Sequence, residues 1–184
     1  MARYEIDGAH STIGFTAKHM MFTTVRGQFT DFEGQVEVDG EDYTTARGEF
    51  TIRTASVNTN AQQRDDHLRS ADYFEAEKYP TMTFRSTGVT RQGDDYKVTG
   101  DLTIRDVTRP IDLTVTVEGR VAKDAFGKER VGISARGKIN RKDFGLNWNV
   151  ALETGGWLVS ETVNLEIEAA FTAVAPAEVG ASAS

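Results

Sequence analysis

The segment "QRDDHLRSADYF", residues Gln63–Phe74, holds a dense group of side chains that could do chemistry: two arginines, three aspartates and one histidine. Such a group suits an acid–base site, a metal site or a salt-bridged helix. The local pattern favours the helix, because Asn60 is a good N-cap residue and Gln63 mimics a capping box. Asp65 and Arg69 are also spaced i,i+4 with the acid first. We therefore predict a short helix with a charged outer face, lying over one end of the fold.

Metal and nucleophilic chemistry find little support in the rest of the chain. Of the three histidines, His10 and His19 stand at the two ends of a predicted strand. If that strand is straight it is about 30 Å long, so the two cannot share an ion. There is no cysteine and no G-x-S-x-G motif, which excludes thiol catalysis, disulfides and cysteine-ligated zinc. We expect no enzyme activity, no metal and no cofactor. The alternative is a metal-assisted hydrolase that uses His67 with nearby carboxylates.

Charge and hydropathy limit the partners. The formal net charge of −7 repels phosphate backbones, so we expect no nucleic-acid partner. No stretch approaches about 18 consecutive apolar residues, so we expect no stable membrane insertion. The start, "MARYEIDGAHSTIGF", lacks a basic segment followed by a long apolar run, and we therefore expect a cytoplasmic protein without a secretory signal.

Period-two alternation dominates the body of the chain. In "VSETVNLEIEAAF", Val163, Leu165 and Ile167 share one parity while polar residues take the other. Gly- and Asp-rich turns separate most such segments, as in antiparallel hairpins, although Gly27–Asp39 reads as one uninterrupted strand. We predict an all-β fold, an extended antiparallel eight-stranded β-barrel with a short helix over one end. A two-sheet sandwich is the alternative. Residues 1–174 form a single domain and residues 175–184 a disordered tail.

Strand parity also predicts which side chains face the lumen. The inward set mixes large and small residues, so the side chains either interdigitate and fill the lumen or leave an elongated apolar channel. The first alternative is a structural barrel without a ligand, and the second is a barrel that binds a long apolar molecule. The predicted lumen residues are Ile13, Phe15, Ala17, Gly48, Phe50, Ile52, Met82, Phe84, Leu102, Ile133, Ala135 and Phe171.

Four segments together resemble a known family. They are "DGAHSTIGFTAKHMMFTTVRGQFTDFEG", "SVNTNAQQRDDHLRSADYFEAEKYPTMTFRST", "GDLTIRDVTRPIDLTV" and "INRKDFGLN". In order and spacing they resemble the YceI-like family of polyisoprenoid-binding proteins, over about Tyr4–Phe171. Any one segment alone would be unspecific, whereas the combination is specific.

The resemblance implies a lipocalin-like barrel that binds, stores or transports a long-chain amphiphilic lipid: a polyisoprenoid, an isoprenoid quinone or a fatty-acyl compound. It implies that the chain can form a homodimer and is not an enzyme. By analogy the helix is a lid or support at the barrel's edge, where Arg64, Asp65 and His67 form a structural polar network. Arg64 or His67 contacting the lipid head group is the alternative role for these residues.

Overall fold

The fold is built almost entirely from strands. The computed structural model describes residues 1–174, so the predicted tail at 175–184 lies outside the described residues. One α-helix, α1 (Gln62–Arg69), and three single 3₁₀ turns (Gly8–His10, Thr54–Ser56 and Arg141–Phe144) interrupt the strands. In chain order the strands are β1 (Ala2–Ile6), β2 (Thr12–His19), β3 (Thr23–Phe29), β4 (Phe32–Asp39), β5 (Asp42–Arg53), β6 (Val57–Asn58), β7 (Thr81–Gln92), β8 (Asp95–Ile104), β9 (Val107–Val121), β10 (Arg130–Asn140) and β11 (Val159–Val174).

The strands close into an eight-stranded antiparallel barrel, which confirms the predicted fold class over a sandwich. Around the barrel the order is β1, β4, β5, β7, β8, β9, β10 and β11, and β11 pairs back with β1. β2 continues β1 along β11, and β3 pairs with β2 before the chain enters β4. β1–β2 and β3–β4 therefore act as two bent strands, each counted once around the barrel.

Two features of the strands were not expected from their sequence. The predicted strand Gly27–Asp39 is broken at Thr30 and Asp31, because the Thr30 amide donates to Ser56 and the Asp31 carbonyl accepts from the Arg53 amide. The second is Pro110, which lies within β9. Pro110 pairs with Asp101 of β8, whereas β10 pairs only with Thr114–Val121 of β9, so one edge of β9 is unpaired at the proline, as is usual for proline in a sheet.

The helix also begins differently from the prediction. Asn60 lies in the left-handed region with φ 60°, and the residue at the N-cap is Ala61, which makes no side-chain capping bond. The predicted Asn60 cap is therefore wrong, because Asn60 lies one residue before the N-cap and two residues before the first helical residue, Gln62. Within residues 1–174, no helix is both long enough and apolar enough to cross a membrane.

Candidate functional site

The barrel encloses an apolar cavity of about 620 Å³. The buried apolar residues pack in two clusters, one at each end of the barrel, and both contribute to the cavity wall. Tyr4 and Val38 belong to the cluster at the end with the β4–β5 turn, and Leu146 belongs to the cluster at the α1 end. At the α1 end the exposed residues Gln63 and Arg64 line it, so the cavity reaches the surface there. The lumen is thus not filled by its own side chains.

All twelve predicted lumen residues line this cavity. Their placement follows from the period of two, since β-strand side chains alternate between the lumen and the outside. That these residues contact a lipid stays a prediction. Many further apolar residues line the same wall, and the ones nearest the α1 end, including Phe29, Trp148 and Leu158, were not predicted.

Glycines keep several aromatic rings against the wall. A side chain at Gly27 would meet the ring of Phe15, one at Gly34 would meet Phe50, and one at Gly100 would meet Phe84. Each ring covers a glycine on the neighbouring strand, an arrangement that compensates for the missing glycine side chain.

This arrangement changes the role expected of the small inward residues. The space at Gly48 is partly taken as well, because Cε2 of Phe50 lies 2.9 Å from the position of an added Cβ. The sequence left two alternatives for the small residues, a lumen filled by interdigitating side chains or an elongated channel. The glycines instead receive the rings, and the open space lies in the centre of the barrel.

Asp65 and Arg64 both bind Thr59, the residue just before the turn into α1. Oδ1 of the buried Asp65 accepts from the Thr59 amide at 2.9 Å and from its hydroxyl at 2.6 Å. Nε of Arg64 donates to the Thr59 hydroxyl at 2.7 Å, and Nη2 donates to the Thr59 carbonyl at 2.8 Å. Arg64 lines the cavity and Asp65 does not. These bonds tie the first turn of α1 to the residue that follows β6.

His67 belongs to a different group. Its Nε2 lies 2.8 Å from Oδ2 of Asp72, and its ring packs edge-on against Trp148 at 4.5 Å and Tyr73 at 5.1 Å between centroids. His67 lines the cavity together with both aromatic residues. The predicted network of Arg64, Asp65 and His67 is therefore two adjacent networks in the structure, one centred on Thr59 and one on His67.

Arg141 is a buried cation that the sequence did not reveal. It lines the cavity, is 3% exposed, and donates to the carbonyls of Ser160 at 2.8 Å and Trp148 at 2.9 Å, among others. Burial lowers the pKa of Arg141 from its ordinary value, and burial raises the pKa of Tyr73, whose ring lies 6.0 Å away. The guanidinium holds the loop after β10 against the start of β11.

The polar character of the cavity is confined to one end. The Lys, Arg and His residues that line it are Lys18, His19, Arg64, His67 and Arg141, and the amine of Lys18 points outward to the Thr24 hydroxyl. Within the described chain, no Asp or Glu lines the cavity. The α1 end of the cavity is therefore basic, and the rest of the cavity is apolar apart from serine and tyrosine hydroxyls.

The opposite end of the barrel is held by ion pairs outside the cavity. The Tyr4 hydroxyl donates to Oε1 of Glu129 at 2.6 Å, and Nε of Arg120 donates to the same oxygen at 2.8 Å. Burial and the Glu129 hydrogen bond raise the pKa of Tyr4 to about 12. Hydrogen bonds from His10 and Arg130 lower the pKa of Asp7.

The histidines do not gather into a metal centre. His10 binds Asp7 and His67 binds Asp72, at separate places on the surface. Across residues 1–174 there is no group of three His, Asp or Glu side chains that could hold a metal ion. The hydrolase alternative therefore has no ready metal site in the part of the chain that the structure describes.

An eight-stranded antiparallel barrel with one long internal apolar cavity defines a lipocalin-like protein. Comparison with known protein families identifies a narrower class, since the model of the YceI-like domain matches residues 4–171. The chain belongs to the YceI-like family.

Individual relatives agree with this assignment. A UPF0312 protein of Staphylococcus aureus is 37% identical over 172 residues, covering 94% of this chain and 98% of the relative. The YCEI protein of Campylobacter jejuni is 36% identical with a TM-score of 0.73, covering 84% of this chain and 88% of that one. BcnA of Burkholderia cenocepacia is 25% identical with a TM-score of 0.77, covering 90% and 98%.

One further neighbour shows the fold alone. It is a polyisoprenoid binding domain from Saccharophagus degradans, 19% identical with a TM-score of 0.67, covering 93% of this chain and 98% of that one.

Proposed function

We propose that the protein binds a long-chain amphiphilic lipid, such as a polyisoprenoid, an isoprenoid quinone or a fatty-acyl compound, inside the barrel. The observation that carries this proposal is the apolar cavity of about 620 Å³ inside the barrel. Family membership and the polyisoprenoid-binding neighbour support lipid binding in general. No observation favours the metal-assisted hydrolase, and we propose a binding protein instead of an enzyme.

The size of the cavity favours a long tail. At about 30 Å³ for each water-sized group, the cavity has room for roughly twenty carbon atoms, or about four isoprene units. Burying one five-carbon unit contributes about 4 kcal/mol, whereas association and ordering cost about 4–15 kcal/mol. A tail of one or two units therefore binds weakly, and a longer tail fills the cavity and binds well.

The basic residues give the bound lipid a direction. Because Arg64 and Arg141 both lie at the α1 end, we place the head group there and the end of the tail near Tyr4. An electron-rich head group, such as a carbonyl or a phosphate, suits this end best. Tail length still dominates selection, since the remaining wall offers few fixed polar partners.

Paired measurements on the wild type and Ala135→Leu test this proposal. Ala135 is buried and faces the cavity, so a larger side chain occupies lumen space without colliding with a packed core. We expect stoichiometric long-chain lipid in organic extracts of the wild type by mass spectrometry. We expect Ala135→Leu to lose most of that lipid while its free energy of unfolding changes by less than about 1 kcal/mol.

Arg136→Leu is the matched control. The Arg136 side chain neighbours Ala135 in the chain but points outward, so this change should leave the lipid content unchanged. Wild-type protein that contains no lipid and takes none up from detergent solution would contradict the proposal. The homodimer and the cytoplasmic location expected from the sequence remain predictions.

A further inference from the structure

An exposed apolar surface lies outside the cavity, at its α1 end. The tip of the β2–β3 hairpin exposes Met21 at 62% and Phe22 at 78%. Trp157, on the loop before β11, is 49% exposed. We call this surface the rim patch, and it consists of Met20, Met21, Phe22, Val150 and Trp157.

The hairpin and the loop form one continuous surface beside the cavity opening. The Met20 amide donates to the Leu158 carbonyl at 2.8 Å, and the Leu158 amide donates to the Val150 carbonyl at 2.9 Å. Sδ of Met21 lies 2.9 Å from the position that a Cβ on Gly156 would take. Leu158 itself lines the cavity, as do His19 and its strand partner Val159. The rim patch therefore borders the point where the cavity reaches the surface.

The hairpin tip is locally unfavourable as well as exposed. Met20 and Met21 have φ values of 52° and 74°, in the left-handed region where glycine and asparagine are preferred. Two large apolar side chains thus stand in strained backbone positions and in contact with water. The positive φ values let the chain reverse from β2 into β3, whereas the exposure of the two apolar side chains is explained if they enter an apolar environment outside the protein.

We propose that the rim patch docks on the surface of a lipid bilayer, so that the cavity opening faces membrane lipid. This inference rests on the proposed function, because a cavity for long-chain lipid needs a source of that lipid, and the opening and the patch adjoin. Methionine, phenylalanine and tryptophan side chains are suited to the boundary between head groups and acyl chains. Nζ of Lys142 lies 5.9 Å from the Trp157 ring, so an amine stands where it can remain among the head groups.

Area and charge identify the partner further. At about 200 Å² for a large side chain, the rim patch exposes roughly 500 Å², less than the roughly 800 Å² per partner of a stable protein interface. A second copy of the chain is therefore a poorer fit than a bilayer. The net charge of −7, with Glu153 and Glu161 nearby, opposes strongly anionic surfaces. Docking should therefore depend on apolar insertion and occur on zwitterionic lipid.

Flotation with phosphatidylcholine vesicles tests the proposal. We expect wild-type protein to float with the vesicles and the double variant Met21→Ser/Phe22→Ser to bind at least about tenfold more weakly. Phe126→Ser is the matched control, because Phe126 is 84% exposed in the β9–β10 turn at the opposite end of the barrel. The control should float like the wild type, and high salt should change none of the three results.

Absence of wild-type flotation would overturn docking, and so would equal losses in the rim variant and the Phe126 control. A rim variant that changes from dimer to monomer in sedimentation, without vesicle binding by the wild type, would overturn docking in favour of a second copy. Lipid delivered from detergent solution tests the cavity separately, because the rim variant should fill as the wild type does. Protein that floats but never holds lipid would support docking and overturn the proposed function.

Discussion

The pairing of phenylalanine with glycine decides how much lumen remains. Phe50 projects from β5 and covers Gly34 on β4, its partner in the sheet. Because glycine has no side chain, the ring can rest on the wall instead of pointing across the cavity. Phe15 with Gly27 repeats the arrangement on another pair of strands. Room for a lipid therefore depends on side chains that are absent as well as on those present.

Gly34→Ala tests this role directly. An added Cβ would stand 2.7 Å from Cε1 of Phe50, so the ring must move toward the lumen. We expect the free energy of unfolding to fall by about 1–3 kcal/mol and the lipid content to fall with it. Thermal melting and lipid extraction measure the two effects. Gly119→Ala is the control, since no atom lies within 4 Å of its added Cβ, and equal effects in both variants would contradict the account.

Single residues differ in how far the sequence reveals them. Parity alone was enough to place Ile13 and Phe171 in the lumen, because strand alternation is a local property. The cover of Gly34 by Phe50 could not be predicted, since it depends on the register between two strands. Arg141 could not be predicted either, because an arginine is rarely buried and its carbonyl partners belong to a loop without periodicity.

At the scale of elements, α1 is fixed by side chains that reach back to the preceding strand. The sequence placed a short charged helix over one end of the barrel, and the helix is Gln62–Arg69. It did not show the means of attachment, because Asp65 looked like a surface ion-pair residue. In the structure Arg69 binds Asp66 at 3.0 Å, and Asp65 is buried against Thr59.

Asp65→Ala should therefore loosen the helix. The change leaves the buried Thr59 amide and hydroxyl without their acceptor, which costs about 1–3 kcal/mol in the free energy of unfolding. Urea denaturation measures this loss. Asp66→Ala is the matched control, with an expected change within about 0.5 kcal/mol because its pair with Arg69 is exposed. A small effect of Asp65→Ala would show that Asp65 contributes little to the attachment of α1.

At the scale of the whole molecule, the two ends of the barrel differ in polarity and in the way they are closed. The α1 end combines a basic opening with the exposed apolar rim patch. The far end is closed by ion pairs, and there Tyr4 is 6% exposed and bonded to Glu129. Stability at high pH should therefore depend on the far end.

Tyr4→Phe tests this dependence. The folded protein raises the pKa of Tyr4 from 10.0 to about 12, so it favours the protonated phenol. That contribution is fully present below about pH 10 and is lost as the pH rises through about 12, a loss on the order of 2 kcal/mol. Wild-type stability should fall more steeply than that of Tyr4→Phe between pH 10 and 12, by urea denaturation. Parallel curves for the two proteins would exclude this role for Tyr4.

The position of β11 has a consequence for how the chain matures. β11 pairs with β10 on one side and with both β1 and β2 on the other, so Arg3 meets Val174 only when the final strand is available. During synthesis β1 and β2 cannot pair with β11 until the ribosome has made β11. Pairing between strands so far apart in the sequence makes folding slow. For that interval the future lumen is an open apolar sheet. The cavity therefore exists only once β11 has been made and has joined β10 to β1.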